Sequence, residues 1–183
     1  QNTYNDLHTL FREAKWFYNA FLASNRTMSD KVKEVPVKVN EEFEHRPLTT
    51  LSAQMKQGLV SRTNDAIYAL SVLKKRGFKV GTLKFKREVN SIPLKQHFGT
   101  HTVFPTHLKI QNIKQKLHYH GYEQLAKYCE QHNTTLDKLE IANAVLCRKG
   151  RDFYLYITVF VPKQTDNRRK SLAIGVDFGC QSQ

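Results

Sequence analysis

Apolar positions fall first into two helical patterns and then into alternation. Leu7, Leu10, Phe11, Ala14, Phe17, Tyr18, Phe21 and Leu22 recur at three- and four-residue spacing. They predict an amphipathic helix from about Asn5 to Ser24, capped by Asn5 or Asp6. A second helix is predicted from about Thr50 to Arg76, burying Leu51, Met55, Leu59, Thr63, Ala66, Ile67, Leu70 and Leu73. Lys74, Lys75 and Arg76 suit its negative end, and Gly77 is the expected stop. Residues 25–48 are polar and irregular, which predicts a loop with one turn of helix. Pro36 limits Val35–Val39 to a short extended piece.

Beyond Gly77 the period shifts to two. Lys84 and Lys86 fall on one side of a predicted strand, with Leu83, Phe85 and Arg87 on the other. Strands are expected at Phe98–Phe104, Leu108–Ile113 and Lys116–His120, and a short helix from Tyr122 to about Gln131. Leu139–Arg148 and Asp152–Val161 predict a hairpin around a three-residue turn, Lys149-Gly150-Arg151. Phe153, Leu155, Ile157, Val159 and Val161 share one face of its second strand. Tyr154, Tyr156, Thr158 and Phe160 share the other. Short strands joined by turns predict a small antiparallel barrel, so the fold class is α+β. After a polar, basic linker, Pro162–Lys170, the apolar run Leu172–Val176 leads into Asp177, Phe178 and Gly179. Such a run reads as a strand buried on both faces.

Charge narrows the function. There are 29 Lys and Arg against 16 Asp and Glu, a net +13 in 183 residues, with a pI near 9.7. Such an excess attracts polyanions, nucleic acid foremost. A membrane surface would attract it too, but no apolar run approaches the ~20 residues needed to span one. With no signal peptide legible and three scattered cysteines, Cys129, Cys147 and Cys180, a cytoplasmic location is expected. Cys129 with His132, and His118 with His120, are too sparse for a zinc site.

Candidate contacts follow the charge. Arg12, Lys15, Trp16 and Asn19 share one flank of the first helix and suit phosphate contact with base stacking. A solvated flank with Trp16 against a neighbour would look the same. On the second helix Gln54, Gln57, Ser61 and Asn64 form an amide-bearing face able to read base edges. Gly58 beside them either admits a nucleic-acid backbone or is incidental. Lys74, Lys75, Arg76, Lys79, Lys84, Lys86 and Arg87 make the most basic stretch, a phosphate track or a lysine-guarded edge strand. Lys95, Gln96, Lys109, Lys114 and Lys116 are further backbone-contact candidates. Asp177 is either a turn cap or a metal ligand, because a lone buried carboxylate is costly. Two-metal phosphodiester cleavage needs carboxylates on rigid elements, and Mg²⁺ favours such oxygen ligands.

Gly175-Val-Asp-Phe-Gly179 looks like the first catalytic motif of a RuvC nuclease domain, an RNase H-type fold. The run Phe11-x-x-Ala14-x-x-Phe17-Tyr18-Asn19-x-x-Leu22 resembles the first recognition-lobe helix of the transposon-encoded TnpB (OrfB) proteins, relatives of the type V CRISPR effectors. Trp16 departs from the smaller residue common there. The segment around Leu83-Lys-Phe-Lys86 resembles the family's lysine-rich entry to its wedge domain, with Leu83 where Pro is usual. The resemblance covers nearly the whole chain. It implies a helical recognition lobe over 1–78, an oligonucleotide-binding (OB)-like wedge barrel over 79–162 whose first strand precedes residue 1, and a linker with the first RuvC strand over 163–183. It further implies guide RNA and target double-stranded DNA as partners, in a prokaryotic, nucleoid-associated setting. Asp177 would be catalytic and would bind Mg²⁺, with Gln54 and Gln57 among the contacts to a short flanking motif. The other two nuclease carboxylates, and the family's zinc ribbon, are expected beyond Gln183, so the 183-residue chain should not cut DNA alone. A guide-dependent binder without cleavage and a plain RNA- or single-strand-binding module are the alternatives.

Overall fold

The computed structural model describes residues 3–161, so the linker and Asp177 lie outside the described residues. Helix α1 (Thr3–Ala23) buries the predicted face, with Leu10, Ala14 and Phe17 sealed from solvent. Helix α2 (Ala53–Lys75) starts where the Ser52 hydroxyl accepts from the Met55 N–H at 3.3 Å. It ends as expected at Gly77 (φ +86°). There the Gly77 and Phe78 N–H groups return to the Lys74 and Leu73 carbonyls at 3.0 and 3.1 Å. Its predicted buried face outruns the core. Burial stops after Thr63, and Leu73 is 41% exposed.

Residues 25–48, expected to be a loop with a short extended piece at Val35–Val39, contain a hairpin of β1 (Glu34–Val39), which matches that piece, and β2 (Glu42–Pro47). Its turn residues, Asn40 and Glu41, have φ of +48° and +79°. Both signs are those of a two-residue hairpin turn, built here without glycine. Strands β3 (Ser91–Leu94), β7 (Glu140–Lys149) and β8 (Asp152–Phe160) form one antiparallel sheet in the order β3-β7-β8. Strands β4 (His101–Val103), β5 (His107–Ile110) and β6 (Leu117–His118) form another in chain order. Helix α3 (Glu123–Gln131) and a single 3₁₀ turn (Leu136–Lys138) link β6 to β7. The class is therefore α+β. Among the described residues no sheet closes into a barrel, which corrects the expected closed barrel to small open sheets. The β7–β8 turn is also tighter than expected: Lys149 pairs with Asp152, leaving only Gly150-Arg151 between the strands.

The predicted strand around Lys84–Lys86 is absent. That segment forms no strand and pairs with none. Its backbone is held by α1 side chains instead, as described below.

Helices and sheets share one core. Phe11 of α1 lies against Phe153 of β8, ring centroids 5.6 Å apart, and Ile92, Leu94, Leu108, Ile110 and Leu146 join the same cluster. Gly58 serves this packing rather than a ligand. A Cβ placed there would sit 2.5 Å from Pro93 Cγ, so α2 approaches β3 closely only because position 58 has no side chain. Gly58→Ala should gain about 1 kcal/mol of helix propensity and lose about 1–3 kcal/mol to overlap. The expected result is a lower urea midpoint; a raised midpoint would mean that Pro93 yields freely.

One buried acid ties the two helices together. Glu13, on the apolar face of α1 and 1% exposed, accepts from the Thr49 N–H and hydroxyl and from the Thr50 and Leu51 N–H groups, at 2.8–3.0 Å. Lys56 of α2, also buried, donates to the Val32 carbonyl at 2.5 Å. Burial lowers the Lys56 pKa, and the charges of Asp30 and Glu13 oppose that loss.

His101 at the start of β4 is 2% exposed; its Nε2 has no hydrogen-bond partner and its Nδ1 lies 3.3 Å from the Thr100 hydroxyl. Burial, reinforced by His97, pushes its pKa down to about 4. The folded state therefore holds this ring neutral where the unfolded chain, with a pKa near about 6.5, takes up a proton. Its contribution to stability is complete above that value and is lost as pH falls towards 4. NMR titration should show the His101 ring uncharged at pH 5; an ordinary midpoint would contradict this packing.

Candidate nucleic-acid interface

The outer flank of α1 carries two cations one turn apart, Arg12 and Lys15, and three other segments bring more to it. Asn19 holds the basic segment against the helix by a two-way amide clamp. Its Nδ2 donates to the Lys86 carbonyl at 2.9 Å, and its Oδ1 accepts from the Lys86 N–H at 2.8 Å. The Tyr18 hydroxyl donates to the Lys84 carbonyl at 3.4 Å, and the Lys86 ammonium lies 4.4 Å from the Tyr18 ring centroid. These contacts replace a strand partner and fix the backbone on which Phe85, Lys86 and Arg87 sit.

Two adjoining hollows result. The larger, about 530 Å³, lies between α1, the β1–β2 hairpin and the clamped segment. Its lining includes the rings of Trp16, Phe43 and Phe85 together with Lys15, Lys38, Lys86 and Arg87. The smaller, about 250 Å³, shares Lys15 and Arg87 and adds Arg12 and Arg148. Together they form a groove with six cations and one carboxylate, Glu88, which pairs with Arg148 at 2.7 Å. The Arg12 guanidinium stands 5.4 Å from the Trp16 ring and that of Arg148 5.7 Å from Phe11, so both planes are steadied on aromatic faces. Most of these cations are exposed at the rim, where water solvates them and where a polyanion could replace that water.

The structure gathers Arg12, Lys15, Trp16, Asn19, Lys86 and Arg87 around this groove, with Asn19 engaged by backbone rather than turned outward. It does not gather the rest there. Gln57 donates to Asp30 at 2.6 Å, and Gln54 lies within 3.4 Å of Gln96. Lys95 reaches the Ser61 hydroxyl at 3.2 Å, so Gln54, Lys95 and Gln96 meet at the junction of α2 and β3. Lys74, Lys75, Arg76 and Lys79 are exposed at and beyond the end of α2, and Lys84 is exposed beside the clamp. Lys109 sits 5.3 Å from the Phe104 ring, and Lys114 and Lys116 are exposed near β6. Lys38, Phe43, Phe85 and Arg148 are groove residues that the sequence did not single out. Phe43 and Phe85, 71% and 67% exposed, carry the one available signal, large apolar side chains flanked by charge.

Comparison with protein-family models, with curated proteins and with solved structures finds no match. Among the described residues no group of three or more His, Cys, Asp or Glu is placed to hold a metal ion. Nor is any helix among them long and apolar enough to cross a membrane.

Proposed function

We propose that this chain grips a guide RNA and its DNA target as the N-terminal part of a TnpB-like, RNA-guided RuvC nuclease. The observation that carries the reading is the groove along α1, where six cations face one carboxylate and three aromatic rings are interleaved among them. Base pairing with the guide reads sequence in such a protein, while the protein holds phosphates. Arg12, Lys15, Lys38, Lys86, Arg87 and Arg148 would supply that hold. Residues 79–162 would take the place of the wedge domain, and Asp177 would begin the nuclease site. A Mg²⁺ ion held there would polarise the scissile phosphate and activate water. No donor set among the described residues fits that ion, so its ligands would be Asp177 and carboxylates outside them. The cytoplasm is the expected setting.

The test uses the full-length protein encoded by the gene. A defined RNA should copurify with it, and Asp177→Ala should abolish cutting while binding survives. Purification free of RNA, or cutting undiminished by Asp177→Ala, would overturn the reading. Intact RNA-guided binding with no cutting in the parent protein would instead establish a binder without cleavage. A plain single-strand-binding module is the second reading, favoured by the exposed Phe43 and Phe85 rings.

A further inference from the structure

We infer that the larger hollow takes one unpaired nucleobase from a single-stranded stretch, with the flanking phosphates on its cationic rim. The inference rests on the nucleic-acid reading above and adds what that reading leaves open, namely which part of the polymer enters. At about 530 Å³ the hollow is the size of a small-molecule site, roughly 300–1,000 Å³. Its walls explain the class of occupant. Trp16, Phe43 and Phe85 present ring surface from three separate segments, α1, β2 and the clamped loop. Lys15, Lys38, Lys86 and Arg87 stand among them, and no carboxylate lines this hollow.

Phosphates alone would call for cations on an open track, without aromatic walls. A lipid or apolar peptide would call for the walls without the cations. The combination matches a nucleotide, flat and apolar at one end and anionic at the other. A duplex cannot use it, because paired bases keep their faces inside the stack; a base must leave the stack to enter. The backbone is also prepared. The Asn19 clamp sets the segment carrying Phe85, Lys86 and Arg87 before any ligand arrives.

Trp16 is the only tryptophan in the sequence, so its fluorescence reports on a wall of this hollow. Titrating the chain with single-stranded RNA and DNA oligonucleotides should quench Trp16 saturably, and the stronger of the two names the polymer. A duplex of the same sequence should bind without comparable quenching. A strand of abasic sugar-phosphate should bind about 5- to 150-fold more weakly, the loss of one base–aromatic stack. Phe43→Ala, at an exposed position, should reproduce that loss for the normal strand and not for the abasic one, with circular dichroism unchanged. Phe85→Ala repeats the test from the other wall. Equal affinity for normal and abasic strands, or equal quenching by duplex, would overturn the inference while leaving nucleic-acid binding intact. Equal quenching by polyglutamate would overturn it in favour of an acidic peptide. If no polynucleotide binds even at low salt, both this inference and the function beneath it fall.

Discussion

Replacing Arg12, Lys15 and Arg87 together with alanine should weaken nucleic-acid binding by about two orders of magnitude at 0.1 M salt. All three line the groove, and Lys15 and Arg87 belong to both of its hollows. Each phosphate contact contributes about 0.7 to the log–log salt slope for single strands and about 0.9 for B-form DNA. Three lost contacts should therefore flatten the slope by about 2–3. Fluorescence anisotropy across a salt series measures both quantities. The comparison is a triple change at Lys74, Lys75 and Arg76, equal in charge but outside the groove lining. If that variant loses as much affinity and slope, the chain binds by diffuse charge and the groove is not the site.

The second large effect concerns folding. Glu13→Ala should destabilise the chain by about 3–5 kcal/mol, the usual cost of removing one member of a buried charged set. It strands the Thr49, Thr50 and Leu51 N–H groups and takes from buried Lys56 one of the two charges that oppose its desolvation. A domain is stable by only about 5–15 kcal/mol, so this is a large share. At about 2–4 °C per kcal/mol for a chain of this size, Tm should fall by about 6–20 °C. A loss no larger than that of a surface substitution, about 0.5 kcal/mol, would mean the carboxylate is dispensable.

Long periodic segments were legible in the sequence because their burial follows the period. This holds for α1, for α2 as far as Thr63, for α3 and for the β7–β8 hairpin. Strand β1 was legible as the extended piece Val35–Val39, but its hairpin was not, because β2 is almost wholly exposed and the turn uses Asn40-Glu41 instead of a glycine. No alternation marks a strand that buries neither face. The Lys84–Lys86 segment misled in the opposite direction. Its alternation matches a strand, but the Lys86 backbone bonds to the Asn19 amide, which no strand pattern encodes. Gly58 was open to two accounts until Pro93 was seen against it.

The candidate site was half legible for the same reason. Arg12, Lys15 and Trp16 share one helix flank, and helical spacing alone places them together. Lys38, Phe43 and Arg148 reach the groove from β1, β2 and β7, and only tertiary structure brings them there. Glu13 left a fainter trace, an acid in register with Leu10 and Phe17 on an otherwise apolar helix face.

The amide clamp has a kinetic corollary. A loop that had to order itself around each arriving strand would slow capture, since conformational rearrangement lowers association rates. Asn19 removes that step by settling the course of Lys86 and its neighbours when the helix folds. Capture should then run at the pace of charge-steered diffusion, and differences between ligands should appear in how long each one stays.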